Sequence, residues 1–229
     1  MLVATNANGD KPRRLIVFDV EGVLLPGRLL FEAAKRLGFS VFVRIITLGL
    51  LYEFGLLSLE SALRRVFKLF RGFTVDDFFR LYKAVPLMPG VEDVFEKLKE
   101  AGYRTALISS GLPTPFVEDL AARLKADRAV GMELGINEGR LTGEVTGDVV
   151  KPYGKRVALK EILDDEGLSP KDCAVVADDR NNLPMFPLCE VSIGYNPDFL
   201  VSAKSDFAVK GDLTAVSYTH LTLPTNREV

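Results

Sequence analysis

Residues 14–27 read RLIVFDVEGVLLPG, and the strand they encode is the reference point for the rest of the chain. Positions 14–19 are an apolar run that closes on a carboxylate, Asp19. A short run with no polar alternation suits a strand covered on both faces, as in a parallel sheet. Gly22, then Pro26 and Gly27, turn the chain after it. Two more runs have the same form: 103–109 (YRTALIS) ends in Ser109 before a turn at Ser110 and Gly111, and 173–178 (CAVVAD) ends in Asp178. Shorter strands are expected at 191–194 and 207–209. Glycines at 131, 135, 139, 143 and 147 space out a hairpin whose turn falls at Glu138 and Gly139.

The segments between the strands are helical in pattern. Val91, Val94, Phe95 and Leu98 recur at helical spacing, and Gly102 closes that helix. Residues 114–124 and 155–165 read the same way. Thr74 with Asp77 resembles a capping box for a helix carrying Phe78, Phe79 and Tyr82. Strands alternating with helices predict an α/β fold, a Rossmann-like parallel sheet with helices on both faces. Ligands sit outside the carboxyl ends of such strands. The helical pattern from 28 to 82 is long for a crossover, so an inserted all-helical cap over that crevice is expected. The expected boundaries are 1–25 and 86–215 for the core and 26–85 for the cap.

Composition narrows the function. Of 229 residues, 48% are hydrophobic and 26% charged, which is a folded globular balance. A formal net charge of −2 speaks against nucleic acid as a partner. Two cysteines, Cys173 and Cys189, are too few for a disulfide scaffold and point to a reducing, cytoplasmic setting. No signal-peptide pattern opens the chain. The most apolar run, 41–57, is interrupted by Arg44, Gly49, Glu53 and Gly55 and falls short of a membrane span. It reads as a buried cap helix or a homodimer patch, with no stable membrane insertion. Residues 216–225, VSYTHLTLPT, are similar to the translated read-through of a sequencing adapter, so 216–229 is expected to be an artefact tail. His220, the one histidine, lies there, and histidine chemistry is not expected elsewhere.

The strand ends carry the chemistry. Asp19 and Glu21 stand two apart, and a strand would put both on one face. One carboxylate can act as nucleophile while the other moves protons. Oxygen ligands from Asp19 and Asp178 suit Mg²⁺ completed by a substrate phosphate. Ser109 offers a hydroxyl, Ser110 and Gly111 offer backbone N–H groups to an anion, and Lys155 offers a point charge.

In this order the motifs resemble the haloacid dehalogenase superfamily of phosphatases, most closely its phosphoserine-phosphatase-like branch. The matching segments are Asp19-Val20-Glu21-Gly22-Val23, Ser109 in LISSG, Lys155 rather than Lys151, and Ala177-Asp178-Asp179-Arg180-Asn181-Asn182. The segments LTGEVTGDV and VEDVFEKLKEAGYRTALISSG are also similar to that branch. The resemblance implies a Mg²⁺-dependent phosphomonoesterase acting on a small phosphorylated metabolite. It implies attack by Asp19 to form an aspartyl-phosphate, and acid–base work by Glu21. It implies phosphoryl binding by Ser109, Ser110 and Lys155. The metal would be held by Asp19, Asp178 and the Glu21 backbone carbonyl.

Three departures stand out. Glu21 replaces the usual Asp and adds one methylene, about 1.5 Å of reach. Asn182 replaces an acid, which leaves Asp179 and Asn182 as candidates for supporting the metal. In the cap, Arg64 matches a substrate-carboxylate ligand of the branch, but Arg28 stands where an acid is usual and favours a more anionic substrate than phosphoserine. A phosphotransferase using the same intermediate, or a weak phosphate-ligand binder, are the alternative readings.

Overall fold

The computed structural model describes residues 14–27 and 29–216. Arg28, His220 and residues 217–229 of the expected tail lie outside the described residues. The first tail position, Val216, is described and is buried.

Seven strands form one sheet. In chain order they are β1 Leu15–Asp19, β2 Arg104–Pro113, β3 Arg128–Asn137, β4 Arg140–Thr146, β5 Cys173–Ala177, β6 Val191–Tyr195 and β7 Phe207–Val209. The spatial order is β4-β3-β2-β1-β5-β6-β7, and all neighbours are parallel except the β3–β4 hairpin. Every residue of β1 and β5 is buried, as expected of central strands covered on both faces. In register, Asp19 pairs with Ile108 and Phe18 with Val176, so the ends of β1 and β5 lie level with Ile108 of β2, next to Ser109. The fold is the expected α/β class, with a helical insertion.

The helices are α1 Leu29–Leu37, α2 Phe39–Glu53, α3 Leu59–Leu69, α4 Val75–Lys83, α5 Val91–Glu100, α6 Thr114–Leu124, α7 Gly154–Glu166, α8 Phe199–Lys204 and α9 Thr214–Val216. Helices α1 to α4 lie between β1 and α5, and local chemistry sets their ends. Ser58 and Thr74 accept the N–H groups of Ser61 and Asp77, capping α3 and α4. Gly102, at φ +83°, leaves the left-handed position after α5 that a side chain would strain. The hairpin turn at Glu138 and Gly139 has positive φ at both residues, the geometry that matches strand twist.

Backbone bonds tie the α3–α4 corner to that hairpin. Gly72 donates to the Leu141 carbonyl at 2.8 Å, Leu141 to Phe73 at 2.9 Å and Val75 to Gly139 at 2.9 Å. An aromatic cluster of Phe67, Phe70, Phe73 and Phe78 then meets Phe116 of α6, with Phe78 and Phe116 centroids 5.2 Å apart.

Three expectations change. The strand expected to end at Ser109 runs on to Pro113, because its register with β3 shifts between Ile108 and Pro113 where a turn was expected. The strand expected to reach Asp178 stops at Ala177. The apolar run of α2 is not buried. Ile45 is its one buried residue among those described, while Phe39 is 80% exposed and Leu50 51%. With apolar residues around most of its circumference, α2 turns one side to α1 and α3 and leaves the other outside.

Candidate active site

Asp19 ends β1 and is buried, and its charge is met there. Lys155 Nζ lies 2.7 Å from Asp19 Oδ1, and Asn182 Nδ2 donates to Asp19 Oδ2 at 2.5 Å. The Val20 N–H also donates to Asp19 Oδ1 at 2.7 Å. Asn182 links the set, since its Oδ1 accepts from Lys155 at 2.8 Å and its Nδ2 also reaches Asp179 Oδ1 at 2.8 Å. Lys155 comes from the first turn of α7, where a cation opposes the helix dipole. Its pairing with a buried carboxylate offsets that cost. Lys151 is instead exposed, 2.7 Å from Asp148.

Asp19, Asp178 and Asp179 each offer a carboxylate oxygen, and these oxygens lie within 4.8 Å of one another. Burial, then the charge of Asp19, push both Asp178 and Asp179 above the usual carboxylate range. Asp178 Oδ1 is buried without a hydrogen-bond partner. An unpaired carboxylate oxygen among crowded acids fits a hard cation bound through oxygen. Gly22 makes the approach possible, because a Cβ there would stand 1.7 Å from Asp178 Oδ2.

Glu21 does not reach the site as a strand neighbour of Asp19. The strand has ended, and residues 20–25 form a tight turn in which Gly22 donates to the Leu25 carbonyl at 2.7 Å. The turn still brings Glu21 to the cluster. Burial first, and then the Asp19 charge, raise its carboxyl to about 7. Gly111 makes room for it, since a Cβ there would stand 1.7 Å from Glu21 Oε2.

Ser109 and Ser110 are both buried. The Ser109 hydroxyl oxygen accepts from the N–H groups of Gly111 at 3.2 Å and Leu112 at 2.9 Å. Ser110 donates to the Val149 carbonyl at 2.7 Å and accepts from Asn181 Nδ2 at 3.3 Å. Asp19, Glu21, Lys155, Asp178, Asp179 and Asn182 are thereby linked by hydrogen bonds, ion pairs or mutual electrostatic influence, and Ser110 joins them through Asn181, whose N–H donates to Asp179 Oδ1 at 3.0 Å. Arg64 stands apart, half-exposed on α3 and forked onto Glu60 Oε1 at 3.0 and 2.9 Å. Tyr52 and Arg180 escaped the sequence reading. Tyr52 is pushed up by burial and then by Asp179, so this α2 phenol lies within reach of the acids' field. Arg180 stands inside the acid motif, between Asp179 and Asn181, and a charged residue at that place was the available signal.

The arrangement combines a buried carboxylate, Asp19, a second carboxyl, Glu21, raised to about 7, and a fixed lysine, Lys155. Residues 16–187 match the haloacid dehalogenase-like hydrolase family. The chain belongs to that family. Within the family, the resemblance to the phosphoserine-phosphatase-like branch holds. The chain is 31% identical over 196 residues to a phosphoserine phosphatase of Halobacterium salinarum, covering 85% of this chain and 92% of the relative. It is 28% identical over 208 residues to that of Methanocaldococcus jannaschii, covering 90% and 97%. It is 30% identical over 200 residues to that of Archaeoglobus fulgidus, covering 87% of this chain and 57% of that longer protein. A solved phospho-aspartyl intermediate analogue of phosphoserine phosphatase superposes with a TM-score of 0.83 at 26% identity, over 90% of this chain and 98% of that one. By family, this chain is a hydrolase of the haloacid dehalogenase type, in its phosphatase branch.

Proposed function

We propose that the chain is a Mg²⁺-dependent phosphomonoester hydrolase for a small phosphorylated metabolite, working through an aspartyl-phosphate on Asp19. The observation that carries this reading is the buried Asp19 carboxylate held by Lys155 and Asn182 beside a Glu21 carboxyl near neutrality. Asp19 attacks phosphorus in line. The P–O bond to the leaving alcohol breaks as Glu21 delivers its proton to that oxygen. Glu21, now ionised, takes a proton from water, whose oxygen attacks the aspartyl-phosphate and frees phosphate and Asp19. Lys155, Ser109 and Ser110 bind the phosphoryl oxygens where charge collects.

Asp19, Asp178 and the main-chain carbonyl of Glu21 would hold the metal, and the orphaned Asp178 oxygen supports that assignment. The bound ion would supply charge neutralisation between nucleophile and phosphoryl group. Asp179 is the supporting acid in this reading, while the Asn182 amide is engaged in orienting Asp19.

Residues 26–85 are read as the cap, with Arg64 as a candidate substrate ligand and Arg28, which lies outside the described residues, as a second candidate from its sequence position. Phosphoserine is the substrate of the named relatives. The Arg28 charge makes a more anionic metabolite our reading here. A cytoplasmic setting, and a second copy as the partner for the exposed face of α2, complete the proposal. No described helix is long and apolar enough to cross a membrane.

The test is phosphate release from phenyl phosphate and from a panel of mono- and di-anionic phosphorylated metabolites, with Mg²⁺ or with chelator. Release that needs Mg²⁺ and favours a dianionic carbon skeleton is expected. Release indifferent to chelator contradicts the mechanism, and a preference for phosphoserine contradicts the substrate class.

A further inference from the structure

Arg180 interrupts the acid loop, and its neighbours face inward. Asp179 accepts from Asn182, and Asn181 donates to Ser110. Arg180 faces the other way. Its guanidinium donates to the main-chain carbonyl of Glu53 at 2.9 Å and to that of Tyr52, and lies 4.7 Å from the centroid of the Tyr52 ring. Both carbonyls belong to the last turn of α2, where the helix dipole ends negative; that of Tyr52 also accepts the Gly55 N–H at 2.9 Å, so Arg180 adds a second donor there. A planar fork of donors can satisfy two carbonyls and stack on a ring at once, which an ammonium cannot.

On the core side the same residue is tied to the acids. The Arg180 N–H donates to Asp198 Oδ2 at 3.2 Å, and the Asp198 N–H donates to the Asp178 carbonyl at 3.0 Å. The end of α2 and the Asp178 backbone are thus joined by three successive hydrogen bonds, through Arg180 and Asp198. The α3–α4 half of the insertion is anchored elsewhere, through the hairpin and through Tyr82 and Lys83 on Asp119 at 2.9 and 2.6 Å.

We propose that Arg180 is a positioning residue that fastens the C-terminal end of α2 to the acid loop, so that the helical insertion and the Asp178 and Asp179 carboxylates reach their working geometry together. It acts through the loop and does not touch the phosphoryl group.

The experiment compares the full chain with Arg180→Ala and Arg180→Lys by amide hydrogen exchange. The kinetic arm, which rests on the phosphatase reading, measures kcat and KM for phenyl phosphate in Mg²⁺. Arg180→Ala is expected to speed exchange about tenfold at both residues 50–57 and residues 178–182 while leaving the buried Leu159 region of α7 unchanged. A kcat lowered about tenfold with KM within about twofold should accompany it. Arg180→Lys should fall between the two in both readouts. Faster exchange at 50–57 alone would reduce Arg180 to a helix cap and overturn the proposal, as would no change at either segment. Should Arg180→Ala loosen α7 as well, the same criteria apply to Arg180→Lys, which keeps the charge and the stem. A wild-type chain that releases no phosphate would remove the phosphatase reading, and the exchange result would still decide the role of Arg180.

Discussion

Lys155 carries its charge into a buried site at the wrong end of a helix dipole, and three carboxylates justify it. Replacing Lys155 with Met strands the Asp19 charge. A loss of about 3 kcal/mol in urea unfolding at neutral pH is expected. The carboxyl shifts share a sign. Glu21, Asp178 and Asp179 are all raised by burial and then by Asp19, so the folded state holds protons that the unfolded chain releases. In that case stability is full below the ordinary carboxylate range and declines as pH rises through the folded values, about 7 for Glu21. The metal-free chain should therefore melt at lower temperature at about pH 8 than at about pH 5. Mg²⁺ should raise the melting temperature more at the higher pH, where it binds ionised acids. A melting temperature that climbs with pH without metal would refute this account of the cluster. In the proposed mechanism the protonated form of Glu21 is the general acid. The kcat/KM profile should fall above about 7, and Glu21→Gln should erase that limb.

At the scale of elements, strand ends and caps were the most legible features. Thr74 was readable as a cap from its spacing to Asp77, and it does accept that N–H at 3.1 Å. Thr74→Ala should cost about 1 kcal/mol in thermal or denaturant unfolding, and Thr74→Ser much less. The central strands were readable because burial on both faces writes itself as unbroken apolar runs. The extension of β2 past Ser109 was not, because Ser110 and Gly111 are residues that turns also use and the register shift depends on β3. Glu21 was assigned to the right neighbourhood by strand alternation, although a turn puts it there. Arg180 and Tyr52 were hidden because their contact joins residues 128 apart. No periodicity or local spacing records such a pair.

Across the whole molecule, helix α2 departs furthest from the sequence reading. Hydrophobicity alone made it a buried helix, yet burial depends on what packs against it. The faces turned to α1 and α3 leave Phe39, Leu50 and Phe54 outside. Leu50→Gln should therefore change monomer stability by no more than about 0.5 kcal/mol, where a core leucine would lose several. If a second copy covers this face, the same variant should shift the sedimentation of the chain towards the monomer. A large drop in melting temperature with unchanged sedimentation would mean that α2 is buried within the single chain after all.

If Asp19 carries the phosphoryl group, the group can be looked for on that residue. The wild-type chain and Asp19→Asn would be mixed with phenyl phosphate and Mg²⁺, quenched in acid during turnover and digested with trypsin. A phosphoryl group is expected on the peptide spanning residues 15–28 of the wild type, with neither label nor phosphate release from Asp19→Asn. Steady phosphate release with no label on that peptide, or release undiminished in Asp19→Asn, would contradict that role for Asp19.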